Sequence, residues 1–173
     1  MPRIERMSAE ETNSATARWY VAQWPPLAWV ETVIKLAALV LGIVALVQAL
    51  SGGSFAWPDG TQLAQLIVLA FLSLGLVAAI FDRLAEREIV AMAFVLVNNL
   101  GHWGMVYALL TEPGPGALLP AFVALMLAGD LVKLVFLRVH DFAVRDTPKA
   151  VLYGLTLVYV VGYLAILVLE WLG

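Results

Sequence analysis

Glu31 and Lys35 stand four residues apart, and Asp130 and Lys133 three apart, in stretches that are otherwise apolar. Either spacing puts the two side chains on one face of a helix. Charges in such surroundings persist when they neutralise one another or when they handle an ion, a proton or a polar ligand. A third stretch, Asn98-Asn99-Leu100-Gly101-His102-Trp103-Gly104, sets two carboxamides, an imidazole and an indole in the middle of another apolar run. The chemistry open to this set is proton transfer among carboxylate, ammonium and imidazole, with carboxamides as a polar wall.

The elements that must carry these residues follow from composition. The chain has 173 residues, 62% hydrophobic and 13% charged, with a mean hydropathy of +0.91. A soluble domain is about 45–50% apolar and about 25% charged, and one small core cannot hide the excess. The expected class is an all-α polytopic membrane protein. Five apolar runs, at about 27–50, 62–81, 89–110, 117–138 and 150–172, are each long enough to cross a hydrocarbon layer of about 30 Å. Together they make residues 27–173 a five-helix transmembrane bundle. Clean breaks separate them: Ser51-Gly52-Gly53 and Trp57-Pro58-Asp59-Gly60 with Thr61 as candidate N-cap, the charged turn 82–88, Glu112-Pro113-Gly114-Pro115-Gly116, and Asp146-Thr147-Pro148. Residues 1–26 read as a cytosolic lead. Within it, Ser8 and Glu11 form a capping box for a short interfacial helix reaching Gln23, with Trp19, Tyr20 and Trp24 at headgroup level. No cleavable signal peptide is visible, so the first span is expected to act as a retained anchor.

The cations set an orientation. Apart from Lys35 and Lys133, every Lys and Arg lies before the first run, between the second and third, or at the junction of the fourth and fifth. The positive-inside rule then puts the N-terminus in the cytosol and the C-terminus outside, in a plasma (inner) membrane.

Counting from the cytosolic ends at 1.5 Å per residue puts Glu31 about 6 Å deep and Lys35 about 12 Å, with Lys133 about 8 Å and Asp130 about 12 Å. Equal depths predict two cross-pairs, Glu31 with Lys133 and Lys35 with Asp130, while the spacings also allow Glu31–Lys35 and Asp130–Lys133 pairs within each helix; a four-membered network is expected, and hence contact between the first and fourth runs. The stripe Glu31, Lys35, Ala38, Gly42, Ala45, Ala49 agrees, because small residues let membrane helices approach closely. Asn98 and Asn99 lie about 14 Å deep and His102 about 20 Å. Trp103 is deep as well, unlike the other tryptophans. Thr156, Tyr159, Tyr163 and Glu170 follow helical spacing on the fifth run, and the second adds Ser73, Gln62 and Gln65. Interhelical hydrogen-bond glue is the structural use of the same residues, worth about 0.6 kcal/mol per bond on average.

Other chemistries find no support. The chain contains no cysteine, which excludes disulfides and thiolate ligands. His102 and His140 lie at different depths, against a bis-imidazole haem. Neither a metal nor another cofactor is expected. No hydrolase elbow, zinc-protease motif or phosphate loop occurs, and no basic cluster favours nucleic acid. The expected partners are the bilayer, a proton, small molecule or lipid, and membrane-protein neighbours or further copies of this chain. The leading expectation is binding or movement of a proton, ion or small molecule. The residues expected to serve it are Glu31, Lys35, Asn98, Asn99, His102, Trp103, Asp130, Lys133, Tyr159 and Tyr163. A non-catalytic subunit of a larger membrane complex is the alternative, and an intramembrane enzyme on a lipid-like substrate the third. A reporter enzyme fused after Gly173 is expected to be active outside the cytosol; activity confined to the cytosol would overturn the orientation.

Overall fold

A computed structural model of the chain describes residues 25–85, 89–139 and 148–172. The interfacial helix expected before Pro25, the proposed cap at 146–147, and His140 lie outside the described residues. Five helices follow one another: α1 (Pro26–Gly52), α2 (Gly60–Ala85), α3 (Ile89–Ala108), α4 (Leu118–Val139) and α5 (Lys149–Leu172). Four of them, α1, α2, α4 and α5, are long and apolar enough to cross a membrane, and α3 has 20 residues. The protein is a helical membrane protein.

Local sequence accounts for the ends. Pro26 at the first helical position costs α1 nothing, because its N–H would have no intrahelical partner there. At the start of α2 the Gln62 N–H donates to Asp59 Oδ1 at 2.8 Å, and the Asp59 N–H donates to Gln62 Oε1 at 3.3 Å. The cap is thus Asp59, not Thr61: three residues from Gln62, it allows this reciprocal pairing. The break after α3 holds Gly114 and Gly116 at φ of 79° and 50°, a region that side-chain-bearing residues rarely enter. Two short strands, β1 (Ser54–Phe55) and β2 (Thr111–Glu112), pair antiparallel and tie the end of α1 to the end of α3.

The helices close into a ring in the spatial order α1, α3, α2, α5, α4 and back to α1. Lipid tails are as apolar as leucine, so the hydrophobic effect does not drive helices together inside a membrane; close packing and hydrogen bonds do. The seams accordingly use small residues. Ala38, Gly42, Ala45 and Ala49 are all buried, as their spacing predicts. Gly42 lies so near α3 that a Cβ there would clash with the Gly101 carbonyl and stand 2.7 Å from Gly101 Cα, and a Cβ on Gly104 would stand 2.5 Å from Gly42 O. The axis of the ring is wider than a seam and takes large side chains: Tyr163, Phe122, Met105, Met126, Leu69 and His102 are fully buried.

Gly42→Ala is therefore expected to lower stability by about 1–3 kcal/mol, the usual range for overpacking. Gly52→Ala, where an added Cβ meets nothing, is expected to be neutral. Thermal unfolding of the detergent-solubilised protein compares the two; equal midpoints would show that the α1–α3 crossing is looser than described.

Candidate functional site: a buried ion triad beside a His–Tyr pair

Lys35 points from α1 towards α4, between two carboxylates. Its Nζ donates to Asp130 Oδ1 at 2.6 Å and to Glu31 Oε1 at 2.8 Å. The side chains of Lys35, Glu31 and Asp130 are 7%, 14% and 5% exposed, so the ions are almost wholly removed from solvent. The expected Lys35–Asp130 pair is present. Glu31, however, pairs within its own helix with Lys35 and not across the seam with Lys133. The four-residue spacing already places Glu31 beside Nζ, and an ammonium can serve two carboxylates at once. Lys133 is half-buried on α4 and is not without a partner. With formal charges, one cation between two anions leaves a single net negative charge.

Gly129 makes this geometry available. A Cβ there would stand 2.8 Å from Lys35 Cγ and 3.0 Å from its Cε, so the lysine stem lies in the gap left by the missing side chain. Sequence reasoning passed over Gly129, although a glycine next to the only acid of an apolar run is a signal of close approach.

One to two turns further along the axis, the α3 polar residues divide by face. Asn98, Asn99 and His102 are buried, whereas Trp103 is 38% exposed and looks outward with Leu100 and Tyr107. The four-residue spacing that groups Asn99 with Trp103 does not bring the indole to the interior. His102 is held at both ring nitrogens. Nδ1 lies 2.9 Å from the Asn98 carbonyl oxygen, which can only accept, so Nδ1 carries the proton. Nε2, 2.6 Å from the Tyr163 hydroxyl, then accepts from it in the neutral ring. Phe122 meets the imidazole edge-on, with ring centroids 5.0 Å apart at 79°. Phe122 was also missed, yet it shares a buried face with Met126 and Asp130 at four-residue intervals.

Tyr159 lies beside Tyr163, with centroids 6.1 Å apart, and donates to the Leu72 carbonyl of α2 at 2.9 Å. Its hydroxyl passes where Gly75 has no side chain. Phe122, edge-on to His102, shares its buried face of α4 with Asp130, which joins the triad and the His–Tyr pair in one polar layer. The Asn99 amide donates to the Val95 carbonyl at 3.1 Å. The Oδ1 atoms of Asn98 and Asn99 are buried with no hydrogen-bond partner among the described residues. Thr156 and Ser73 are absorbed by carbonyls of their own helices. Gln65 donates to Glu170 at 2.7 Å near the opposite end of the bundle, outside this layer. No group of three or more His, Cys, Asp or Glu that could hold a metal ion occurs among the described residues.

No protein-family model, curated protein or solved structure matches the chain. Its class rests on its own helices and on the charged layer inside them.

Lys35→Met is expected to destabilise the bundle by about 3–5 kcal/mol, because it leaves buried carboxylates without their counter-ion. Adding Asp130→Leu and Glu31→Gln to that variant is expected to recover most of the loss. Denaturation in mixed detergent micelles reads both; a single variant as stable as the parent would mean that the triad is solvated.

Proposed function

We propose that this protein spans the membrane five times, with its N-terminus in the cytosol, and binds and relays a proton through its polar layer. The observation that carries the reading is the lysine bridging two carboxylates in a nearly dry seam. The cluster has one net negative charge in a medium that penalises unbalanced charge, and one added proton brings it to neutrality. Glu31, more exposed than its partners and nearest the start of α1, is the entry. Lys35 can pass a proton to Asp130 while accepting one from Glu31, which restores the ammonium and advances one proton by one position. Beyond it, Tyr163 can deliver its hydroxyl proton to His102 Nε2 as it takes another from the Asp130 side. The free Oδ1 atoms of Asn98 and Asn99 are acceptors for a hydrated proton at the same level.

A second reading, a subunit of a larger membrane assembly or of a homo-oligomer, draws on Trp103. An exposed indole this far from the ends of its helix is better matched to a protein neighbour than to lipid tails.

Reconstitution separates the two. Purified parent protein in proteoliposomes is expected to dissipate an imposed pH gradient, and Asp130→Asn to reduce the flux at least about tenfold while still inserting, as expected for loss of a site that titrates in transport. Undiminished flux in the variant would remove Asp130 from the mechanism. Flux from a monodisperse monomer would sink the assembly reading, and a parent protein that is silent until a partner is restored would sink the relay.

A further inference from the structure

Asn98 is engaged through its backbone and left open at its side chain. Its carbonyl oxygen accepts the His102 Nδ1 proton at 2.9 Å, while its Oδ1 is buried and meets no donor among the described residues. Buried oxygens of this kind are nearly always paired, with protein or with ordered water. Lys35 carries the complementary surplus. An ammonium has three N–H donors, and among the described residues two are used, on Glu31 and Asp130. The α1–α3 crossing brings the two residues to one level. Gly101 packs on Leu39 and Gly42, and Gly104 on Gly42 and Leu46, so the helices run in the same direction. One turn back from these contacts stand Asn98 on α3 and Lys35 with Ala38 on α1. Asn98 shares a helix face with the fully buried His102, and Lys35 reaches Asp130 of α4. Both side chains therefore leave the crossing on its axial side.

We infer that an ordered water is bound between Lys35 and Asn98, accepting the third N–H of the lysine and donating to Asn98 Oδ1. The ligand must accept at one end and donate at the other, which selects a neutral hydroxylic molecule. Water is the one small enough for a layer in which His102, Phe122 and Tyr163 are fully buried. An alkali cation on the Asn98 oxygen would face an ammonium across it, and like charges repel strongly away from bulk solvent. Buried waters make on the order of three hydrogen bonds. The remaining proton of this one has Tyr163 Oη as acceptor, since that hydroxyl gives its own proton to His102 Nε2 and keeps its lone pairs. Asn99 Oδ1 lies about 100° round the helix and takes no part. The bound water thus joins the ion triad to the His–Tyr pair. That it carries a proton between them rests on the relay proposed above; that it is bound does not.

The chain has three lysines and three asparagines, so isotope labelling of these two residue types gives few signals to assign. In solid-state NMR of the full chain in phospholipid vesicles, magnetisation from water is expected to reach Lys35 Nζ and the Asn98 carboxamide. The transfer to Lys35 is expected to be lost in Asn98→Leu, which keeps the volume and removes the acceptor. It is expected to persist in Asn98→Ser, which keeps an acceptor oxygen. A parent protein in which water reaches neither group overturns the inference without reference to any variant. Transfer to Lys35 that survives Asn98→Leu places the water on the Glu31 side and removes Asn98 from the site. Loss in Asn98→Ser as well as in Asn98→Leu makes the carboxamide a packing group and overturns its role as acceptor. Neither arm measures flux, so failure of the proton reading leaves these outcomes intact.

Discussion

A charged lysine can stay among apolar helices only if opposite charge lies within hydrogen-bond reach, and this constraint shapes the bundle around the α1–α4 seam. Lys35 meets it twice, with Glu31 one turn away on its own helix and with Asp130 across the seam. The first contact comes with helix formation, because residues four apart share a face. The second requires α4 to approach α1 at one register only, with Gly129 opposite the lysine stem. A shift by a single residue would put a side chain where the stem must pass. The triad therefore selects the pairing of helices, as buried ionic groups do in the best-attested cases, whether or not it adds net stability.

Around that seam the ring divides its residues by size. Where two backbones cross, the missing side chains of Gly42, Gly101 and Gly104 let them approach closely. Five helices in a ring leave an axial space wider than any seam, and Tyr163, Phe122, His102 and two methionines fill it. The same placement gives His102 its chemistry. Its ring is fixed by a carbonyl at one nitrogen, a hydroxyl at the other and an aromatic edge contact, so its tautomer and orientation are set before any proton moves.

Much of this was legible along the chain. Apolar runs of about 20 residues with glycine, proline and charge between them mark spanning helices whatever the partners, and the described helices begin and end near those breaks. The Lys35–Asp130 pair followed from equal depth, and the buried stripe of α1 from its small residues. Where the reading departs from the structure, the cause is rotational. A count of 1.5 Å per residue measures depth and says nothing about which way a face is turned, so Trp103 was grouped with the interior and Glu31 with Lys133. Spacing left both a pair within α1 and a cross-pair open to Glu31, and the structure takes the first, while Asp59 reaches the first turn of α2 ahead of Thr61.

By itself, then, the sequence determined the class of protein, the helices, their depth markers and the presence of charged residues inside them, because hydropathy and spacing are properties of single segments. The ring order, the side of α3 that faces the axis, the bond between His102 and Tyr163 and the gap at Gly129 were decided only by tertiary structure. Each depends on the rotation of one helix against another, which backbone crossings and the volume of the axial side chains set jointly. No single segment carries that information.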